Sequence, residues 1–592
     1  MKRIRLSLGA LVALFGLWTV STSVAACGHD RDDFDDGNKT FDVPEAGVDA
    51  APDCRLRCSL DGRSVIENCT GKVVETCPPT LACGGAACIE PCRAAAEDRS
   101  SNGCDFYLQA PRYTKEFPQS CYAAFLVNTS LQPARVSLEL EGKPLDVSKA
   151  LFRSKPGSPE LVPHTGDIEP GESVILFVSD RPANSPPTGI FEGTYVPCPI
   201  GAVPASLADT VPDGTGFGSS FHLVTNVPVA ATAIYPFGGA PTILPSATLL
   251  LPVPTWATQH IVINGWEVGN DGKPGAQIVA AEDDTELTLL PKRDVQGGVG
   301  IPSALAGVPV RYRLAKGQVL QLLQDEELTG SILTSNKPTT VFGGHSVAWV
   351  PVSDGTGDIF SQQIPAFERW GSEYVGVGYR PRLGNDHEPV IYRIVAARDG
   401  TRLDYDPAVP PGAPLEMSAG EMVTFQSGTG DAFVVRTQDV DHPVYLAAYM
   451  TGGSLHQWHG DPEFVNVVPA GQYLSSYSFY ADPTYPETSL VIVRAKTDGA
   501  FKDVWLECAG NLSGWRPVGE RGMYEFVRVD LSRSGGPGET FGASTCRVGL
   551  QRMRSEGAFT ATLWGWGKAT SYAYPGGMAQ RKLVETPLDP VR

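Results

Sequence analysis

Positive charge is scarce in this sequence. Only 47 of its 592 residues are Lys or Arg, against 66 Asp and Glu, and the formal net charge at pH 7 is -19. A surface that grips nucleic acid or an anionic bilayer needs clustered bases, so this balance argues against both as partners of the folded region. Long hydrophobic runs are scarce as well. Beyond the first 26 residues nothing approaches the roughly 18 apolar positions that a spanning helix requires. The stretch 244–253, LPSATLLLPV, is too short and is interrupted by proline. Histidine is rare, at 9 residues, and scattered. The sequence contains no G-x-S-x-G elbow, no H-E-x-x-H helix, no P-loop and no dinucleotide-binding glycine fingerprint. The chain is therefore read as a non-enzyme, with no cofactor expected.

Glycine and proline are plentiful, at 64 and 49. Aliphatic and aromatic residues come in short runs broken by turn residues, which suits strands better than helices. The fold class expected is all-β: tandem β-sandwich-like units packed in one array, preceded by a small disulfide-rich module.

The N-terminus reads as an export signal. Lys2, Arg3 and Arg5 precede an apolar segment, residues 6–20, and small residues lead to Val24-Ala25-Ala26-Cys27. A short apolar core closed by small residues marks a cleaved signal rather than a membrane span. The last four residues resemble the lipobox of bacterial lipoproteins. That resemblance implies cleavage after residue 26, a diacylglyceryl thioether on Cys27 and an acyl chain such as palmitate on the new N-terminus. Several chains on one residue anchor a protein stably. Residues 27–53 follow with nine acids and two bases, a composition that cannot bury enough surface to fold and reads as a disordered tether. The Asp32, Asp33, Asp35, Asp36 run lacks calcium-loop spacing. Acidic residues after a lipidated Cys resemble surface-export signals, which places the expected location at the outer membrane, facing outward.

There are 13 Cys. With Cys27 lipidated, 12 remain, an even number suited to an oxidising compartment. Seven crowd residues 54–92, a segment too short to fold on apolar burial alone. Zinc is the competing reading, but two C-x2-C knuckles are absent. Seven is odd, so one of these must pair outward, with Cys104 the nearest choice. Further along, Cys121 with Cys198 and Cys508 with Cys546 are the expected disulfides.

The remaining chain repeats itself. Residues 221–239 (FHLVTNVPVAATAIYPFGG), 331–345 (SILTSNKPTTVFGGH), 433–453 (FVVRTQDVDHPVYLAAYMTGG) and 548–567 (VGLQRMRSEGAFTATLWGWG) each read as strand, polar turn and second strand ending near Gly. Three keep a proline after the turn, Pro228, Pro338 and Pro443; the fourth has Ala558. A second element, QIVAAEDDTELTLLP (277–291) and RIVAARDGTRLDYDP (393–407), reads as a hairpin with an acidic turn. Gly-led strands recur at 171–178, 317–323 and 420–426. A repeat of 100–150 residues suits a β-sandwich and not a propeller blade. Four units are expected, at about 100–240, 241–360, 361–460 and 461–585.

These elements resemble the N-terminal domain of the IgGFc-binding protein family. The motifs that carry the resemblance are GCDFY (103–107), VFGGHS (341–346), QQIP followed by Trp370, IVAA…DGT (394–401) and SYAYPGGM (571–578). It implies an extracellular binding or adhesion role. Relatives often carry Cys where this chain has Val347, and Cys-Asp-His where it has Gly357-Asp358-Ile359, so a site built on those residues does not transfer.

The candidate site residues are few. His456, His459 and Asp461, with Glu463, form the densest metal-capable set, or else a solvated loop with Trp458 packed beneath it. His345, Asp354, Asp358 and His387 flank one unit junction and would matter if they converged. Asp283, Asp284 and Asp399 sit at turns, where Asp bonds locally. Trp564, Trp566, Tyr572 and Tyr574 either stack on a sugar or fill a core. The function expected is a surface-exposed, lipid-anchored binding or adhesion protein with a protein or glycan ligand. The alternative is a secreted β-rich carbohydrate-active or other hydrolytic protein, which requires paired carboxylates or a His triad in a cleft.

Overall fold

The computed structural model describes residues 55–589, apart from 60, 61, 156, 241 and 243. The expected signal segment, Cys27 and the expected acidic tether lie outside the described residues. Among the described residues the protein is nearly all β; its one α-helix is Pro91–Asp98, capped by the Glu90 carboxylate, which accepts from the backbone N–H of Cys92 and Arg93. No described helix is long and apolar enough to cross a membrane.

The cysteine-rich module is a three-stranded antiparallel sheet (Leu56–Cys58, Ser64–Glu67, Val73–Thr76) followed by the hairpin Ala82–Gly84/Ala87–Ile89. Disulfides Cys58–Cys83 and Cys77–Cys88 hold it, and Cys69 is also disulfide-bonded. Cys92–Cys104 ties the helix to the strand Asn102–Leu108. Two further disulfides, Cys121–Cys198 and Cys508–Cys546, lie in the first and fourth units.

Each repeat seen in the sequence is one spanning strand that serves two sheets. Phe221–Tyr235, Ile332–Ala348 and Gly549–Gly567 are continuous. The third repeat is split into Phe433–Thr437 and Val444–Met450. In every unit the first half of the spanning strand pairs on its two sides with strands equivalent to Ala257–Ile261 and Thr285–Leu290. The second half pairs with strands equivalent to Pro274–Ala280 and Asp358–Ile364. Where the spanning strand breaks, in the third unit, two separate four-stranded sheets result. The Gly-led strands Ser173–Ser179, Gln318–Leu323 and Met422–Gly428 extend the second-half sheet.

Two expectations need correction. The acidic-turn element is not a hairpin: Pro274–Ala280 and Thr285–Leu290 both pair with the same spanning strand, at residues 339–345 and 332–335. Asp283 and Asp284 therefore mark a corner at which the chain steps from one sheet to the other. The unit edges also interlock rather than meet at residue 240. Gly216–Ser219 pairs with Gln318–Leu323 of the second unit, and Ser246–Leu249 pairs with the first unit's spanning strand.

Burial follows this plan. The first half of Gly549–Gly567 alternates buried with partly exposed residues, and the second half is almost wholly buried. Ile332–Ala348 and Phe221–Tyr235 end in the same way. One face of a sheet in solvent gives alternation; a sheet covered on both faces does not. The second halves are covered because they face the middle of the assembly. There the four strands Ser246–Leu249, Asp358–Ile364, Glu463–Asn466 and Thr570–Pro575 meet in a closed circuit, each packed against at least two others. The circuit is closed again at its rim, where Ser100 bridges to Ala579 and Ser101 N–H donates to Met578 O. Gly343 and Gly344 of VFGGH lie under neighbouring backbone: a β-carbon there would strike Ile263 O and Phe360 O.

Candidate functional site

Gln362 sits at the centre of the circuit, fully buried. Its Nε2 donates to Ala247 O (2.8 Å), Phe464 O (3.0 Å) and Ala573 O (3.1 Å), one carbonyl from each of the other three axial strands. Neighbouring bonds repeat the theme. Ser361 N–H donates to Ser246 Oγ, Gln363 N–H to Thr248 Oγ1, and Asn466 Nδ2 to Gln363 O. Three carboxyls share this axis. Asp358, Asp461 and Glu463 are all buried; Asp358 accepts from Ser571 N–H, and Glu463 from Phe464 N–H. Burial raises all three above the usual carboxyl range, Asp461 to about 7, and Asp358 is pushed further by the charges of Asp461 and Glu463.

One mouth of the axis carries the loop Thr451–Asp461. Its base is clamped by three units. The buried Arg382 guanidinium donates from Nε to Glu388 Oε1 (2.6 Å), from Nη1 to Thr451 O (2.8 Å) and His459 O (3.0 Å), and from Nη2 to Thr451 Oγ1 (2.7 Å). Gly453 N–H donates to Thr356 Oγ1, and Ser454 Oγ to Asp354 O. Gly460 N–H donates to Gly567 O, and Ala569 N–H to Trp458 O. The tip is apolar and open: Leu455 is 77% exposed and Trp458 50% exposed. Gln457 and Trp458 both hold positive φ, 56° and 65°, a left-handed pair that costs free energy in non-glycine residues and persists only where surroundings enforce it. Arg382 supplies that enforcement, since it bonds both ends of the turn.

This placement corrects the sequence-based readings of the loop. Trp458 is not packed beneath it but projects from it. Among the described residues no three His, Cys, Asp or Glu side chains could hold one metal ion. His456 Nε2 lies 3.3 Å from Thr451 Oγ1, and Asp461 Oδ1 accepts from Gly453 N–H (3.4 Å). His459 joins a backbone bridge to Lys568. Burial beside Arg382 lowers the His456 pKa and leaves its ring neutral.

His345, Asp354, Asp358 and His387 each have partners of their own. Both His345 nitrogens are used by backbone: Nε2–H donates to Glu267 O (3.0 Å) and Nδ1 accepts from Val347 N–H (3.1 Å). Burial lowers this imidazole to about 3, so it is neutral. Asp354 accepts from the Thr356 hydroxyl. His387 is exposed and pairs with Asp431 (3.0 Å), whose hydrogen bond and charge raise its pKa. This pair lines a groove of about 750 Å³ between Phe433, Arg516 and the proline-walled loop 407–411. No described hydroxyl is bonded to the other ring nitrogen; Ser427 Oγ donates to Asp431 O. Asp283 and Asp399 accept from Lys316 N–H and Ala419 N–H, and Asp284 pairs with Arg313. Trp564, Trp566, Tyr572 and Tyr574 are buried, so they fill the core and offer no face to a sugar.

The IgGFc binding protein family matches residues 246–565. The match begins on the first axial strand and covers the second and third units and most of the fourth. GCDFY and SYAYPGGM lie outside it. The human IgGFc-binding protein is 24% identical over 356 residues, 58% of this chain and 6% of that relative, so this chain spans a small part of the relative's length. A match over more than half of the sequence, on the segment that holds three of the four axial strands and the spanning strands of the last three units, establishes that the chain belongs to the IgGFc-binding protein family.

Proposed function

We propose that this protein is a binding or adhesion protein held by lipid on the bacterial outer surface, and that it docks a partner protein on the Leu455–Trp458 knuckle. The observation that carries the proposal is the knuckle itself: two exposed apolar side chains on a strained turn clamped by three units. Tryptophan on a rigid support is the residue type that dominates protein interfaces, because it buries much area with little entropy to lose. The matching relative is named for binding IgG Fc, which supports a protein ligand and makes Fc the first probe. The Cys27 lipobox-like sequence and the acidic tether support the anchor and the outward location.

The test begins with protease shaving of intact cells that carry wild type or Cys27→Ala. Loss of the wild-type protein, with release of the variant from membranes, is expected. Protection of the wild type would refute surface exposure. Attachment of the same cells to an Fc-coated surface is then compared with Trp458→Ala; equal attachment above background in both would remove the knuckle from the reading. The exposed His387–Asp431 pair favours a hydrolytic protein as the second reading. Labelling by a serine-directed covalent probe that is lost in His387→Ala would support that alternative.

A further inference from the structure

The fourth unit presents a second surface, remote in chemistry from the knuckle. Val504 and Leu506 are buried, so strand alternation turns Trp505 outward. Register then places Asn511, Trp505, Arg554 and Ser476 side by side across four strands: Trp505 opposes Asn511 on one side and Arg554 on the other, and Arg554 opposes Ser476. Arg552 and Ser478 form the next rung. The Arg554 guanidinium lies over the Trp505 ring, 4.6 Å from its centroid. This face is the floor of a groove of about 1150 Å³, walled by Phe501–Asp503 on one side and by Arg57, Ser59 and Ile66 of the disulfide module on the other.

The charge in this groove opposes that of the chain. Arg57, Lys502, Arg552 and Arg554 line it, against Asp503 and Glu556, in a protein of net charge -19. Arg552 pairs with Glu507 (2.7 Å), while Arg57, Lys502 and Arg554 make no ion pair among the described residues. Asp503 accepts from Asn511 Nδ2 (3.1 Å). Unpaired cations on an otherwise acidic surface concentrate anions locally and repel the rest of an acidic partner least at that point. The rest of the lining is serine hydroxyls, the Asn511 amide and the Trp505 indole, together with the larger side chains Ile66, Tyr477, Phe501 and Met553; hydroxyl, amide and indole are the groups that meet sugar hydroxyls and the apolar face of a pyranose.

We propose that this groove binds an acidic polysaccharide, a sugar chain bearing sulfate or carboxylate groups, with Arg554 and Lys502 on the anionic groups and Trp505 on the ring. The site is independent of the knuckle. An acidic peptide would use the cations but not the serine-and-indole floor, which is why the saccharide is favoured.

The experiment uses purified full-length protein on immobilised heparin, polygalacturonate, neutral dextran and polyglutamate. Retention on heparin or polygalacturonate at about 50 mM salt, released by about 500 mM, is expected, with none on dextran. Retention on polygalacturonate shows that carboxylate suffices, and retention on heparin alone identifies sulfate as the acid group required. Lys502→Gln with Arg554→Gln should weaken retention about tenfold or more. Trp505→Ala should weaken saccharide binding at least about fivefold. Both variants are checked for an unchanged thermal transition, and the Lys502 and Arg554 pair changes only partly or fully exposed side chains. Absence of retention on both acidic polysaccharides, or retention indifferent to these substitutions, would overturn the proposal. Equal retention on polyglutamate that survives Trp505→Ala would overturn it in favour of acidic peptides.

Discussion

Replacing Gln362 with Leu is the sharpest test of the axial circuit. The side chain keeps nearly its volume, so little cavity cost is added. What is lost is an amide whose Nε2 serves three carbonyls on three other strands, in a fully buried position. Each buried carbonyl left short of a donor costs about 1–3 kcal/mol. Two N–H groups are shared among the three, and the substitution also removes Gln362 Oε1, a buried acceptor with no hydrogen-bond partner among the described residues, so a net loss of about 2–3 kcal/mol is expected. The control is Gln438→Leu, where an exposed Nε2 donates to Gly400 O (2.9 Å) within one unit; its loss should stay below about 1 kcal/mol. Guanidinium unfolding, followed by tryptophan fluorescence and far-ultraviolet circular dichroism, measures both. Because the circuit joins all four units, Gln362→Leu should lower the whole transition rather than split off one early phase. A Gln362 variant no less stable than the Gln438 control, or a separate early phase from the second unit alone, would refute the view that this amide couples the units.

The axial carboxyls set a pH dependence. Folding raises Asp358, Asp461 and Glu463, so the native state binds protons that the unfolded chain has released. Stability from these groups is therefore full below about pH 4 and falls as pH rises through the folded value of about 7 for Asp461. Buried His260 and His345, lowered to about 4 and about 3, pull the opposite way at acid pH, so the test is comparative: Asp461→Asn should raise the unfolding midpoint at pH 8 relative to that at pH 5 when set against wild type. Arg382→Ala leaves Glu388 buried and unpaired and frees both ends of the knuckle; a loss of about 3–5 kcal/mol and new proteolytic cleavage within residues 451–460 are expected, read by thermal unfolding and limited proteolysis. Removing Cys508–Cys546 by a double Ser substitution releases a loop of sequence separation 38 and should cost about 3–4 kcal/mol, read as a lower unfolding midpoint of the fourth unit.

Much of the architecture was legible before the structure. Alternation, turn residues and the four recurring segments pointed to an all-β chain of sandwich-sized units, because one buried face imposes a period of two whatever the neighbours do. The repeats were visible because each is one physical device, the strand that serves two sheets. The parity of the cysteines required one of the crowded seven to pair beyond residue 92. The corner at Asp283–Asp284 was misread as a hairpin because both put acids between two strands; only pairing partners distinguish them. The loop around Trp458 attracted notice through its histidines, yet its prominent feature is an apolar tip on a left-handed turn.

Sequence by itself determined the local part: an acidic, turn-rich chain of repeated strand pairs, with motifs placing it near a known family. Tertiary structure alone decided how the units close on one another. Gln362 looks like an ordinary polar strand residue in the sequence, since a strand covered on both faces carries no alternation to betray it, and Asp358, Asp461 and Glu463 drew notice there only as members of other clusters, not as one axial set. The row Asn511, Trp505, Arg554 and Ser476 is likewise invisible along the chain, because its members are brought together only by register across four strands. Contacts between residues near in sequence follow from backbone geometry, while contacts between distant residues depend on which sheets pack and in what order, and those hold both the axis and the groove.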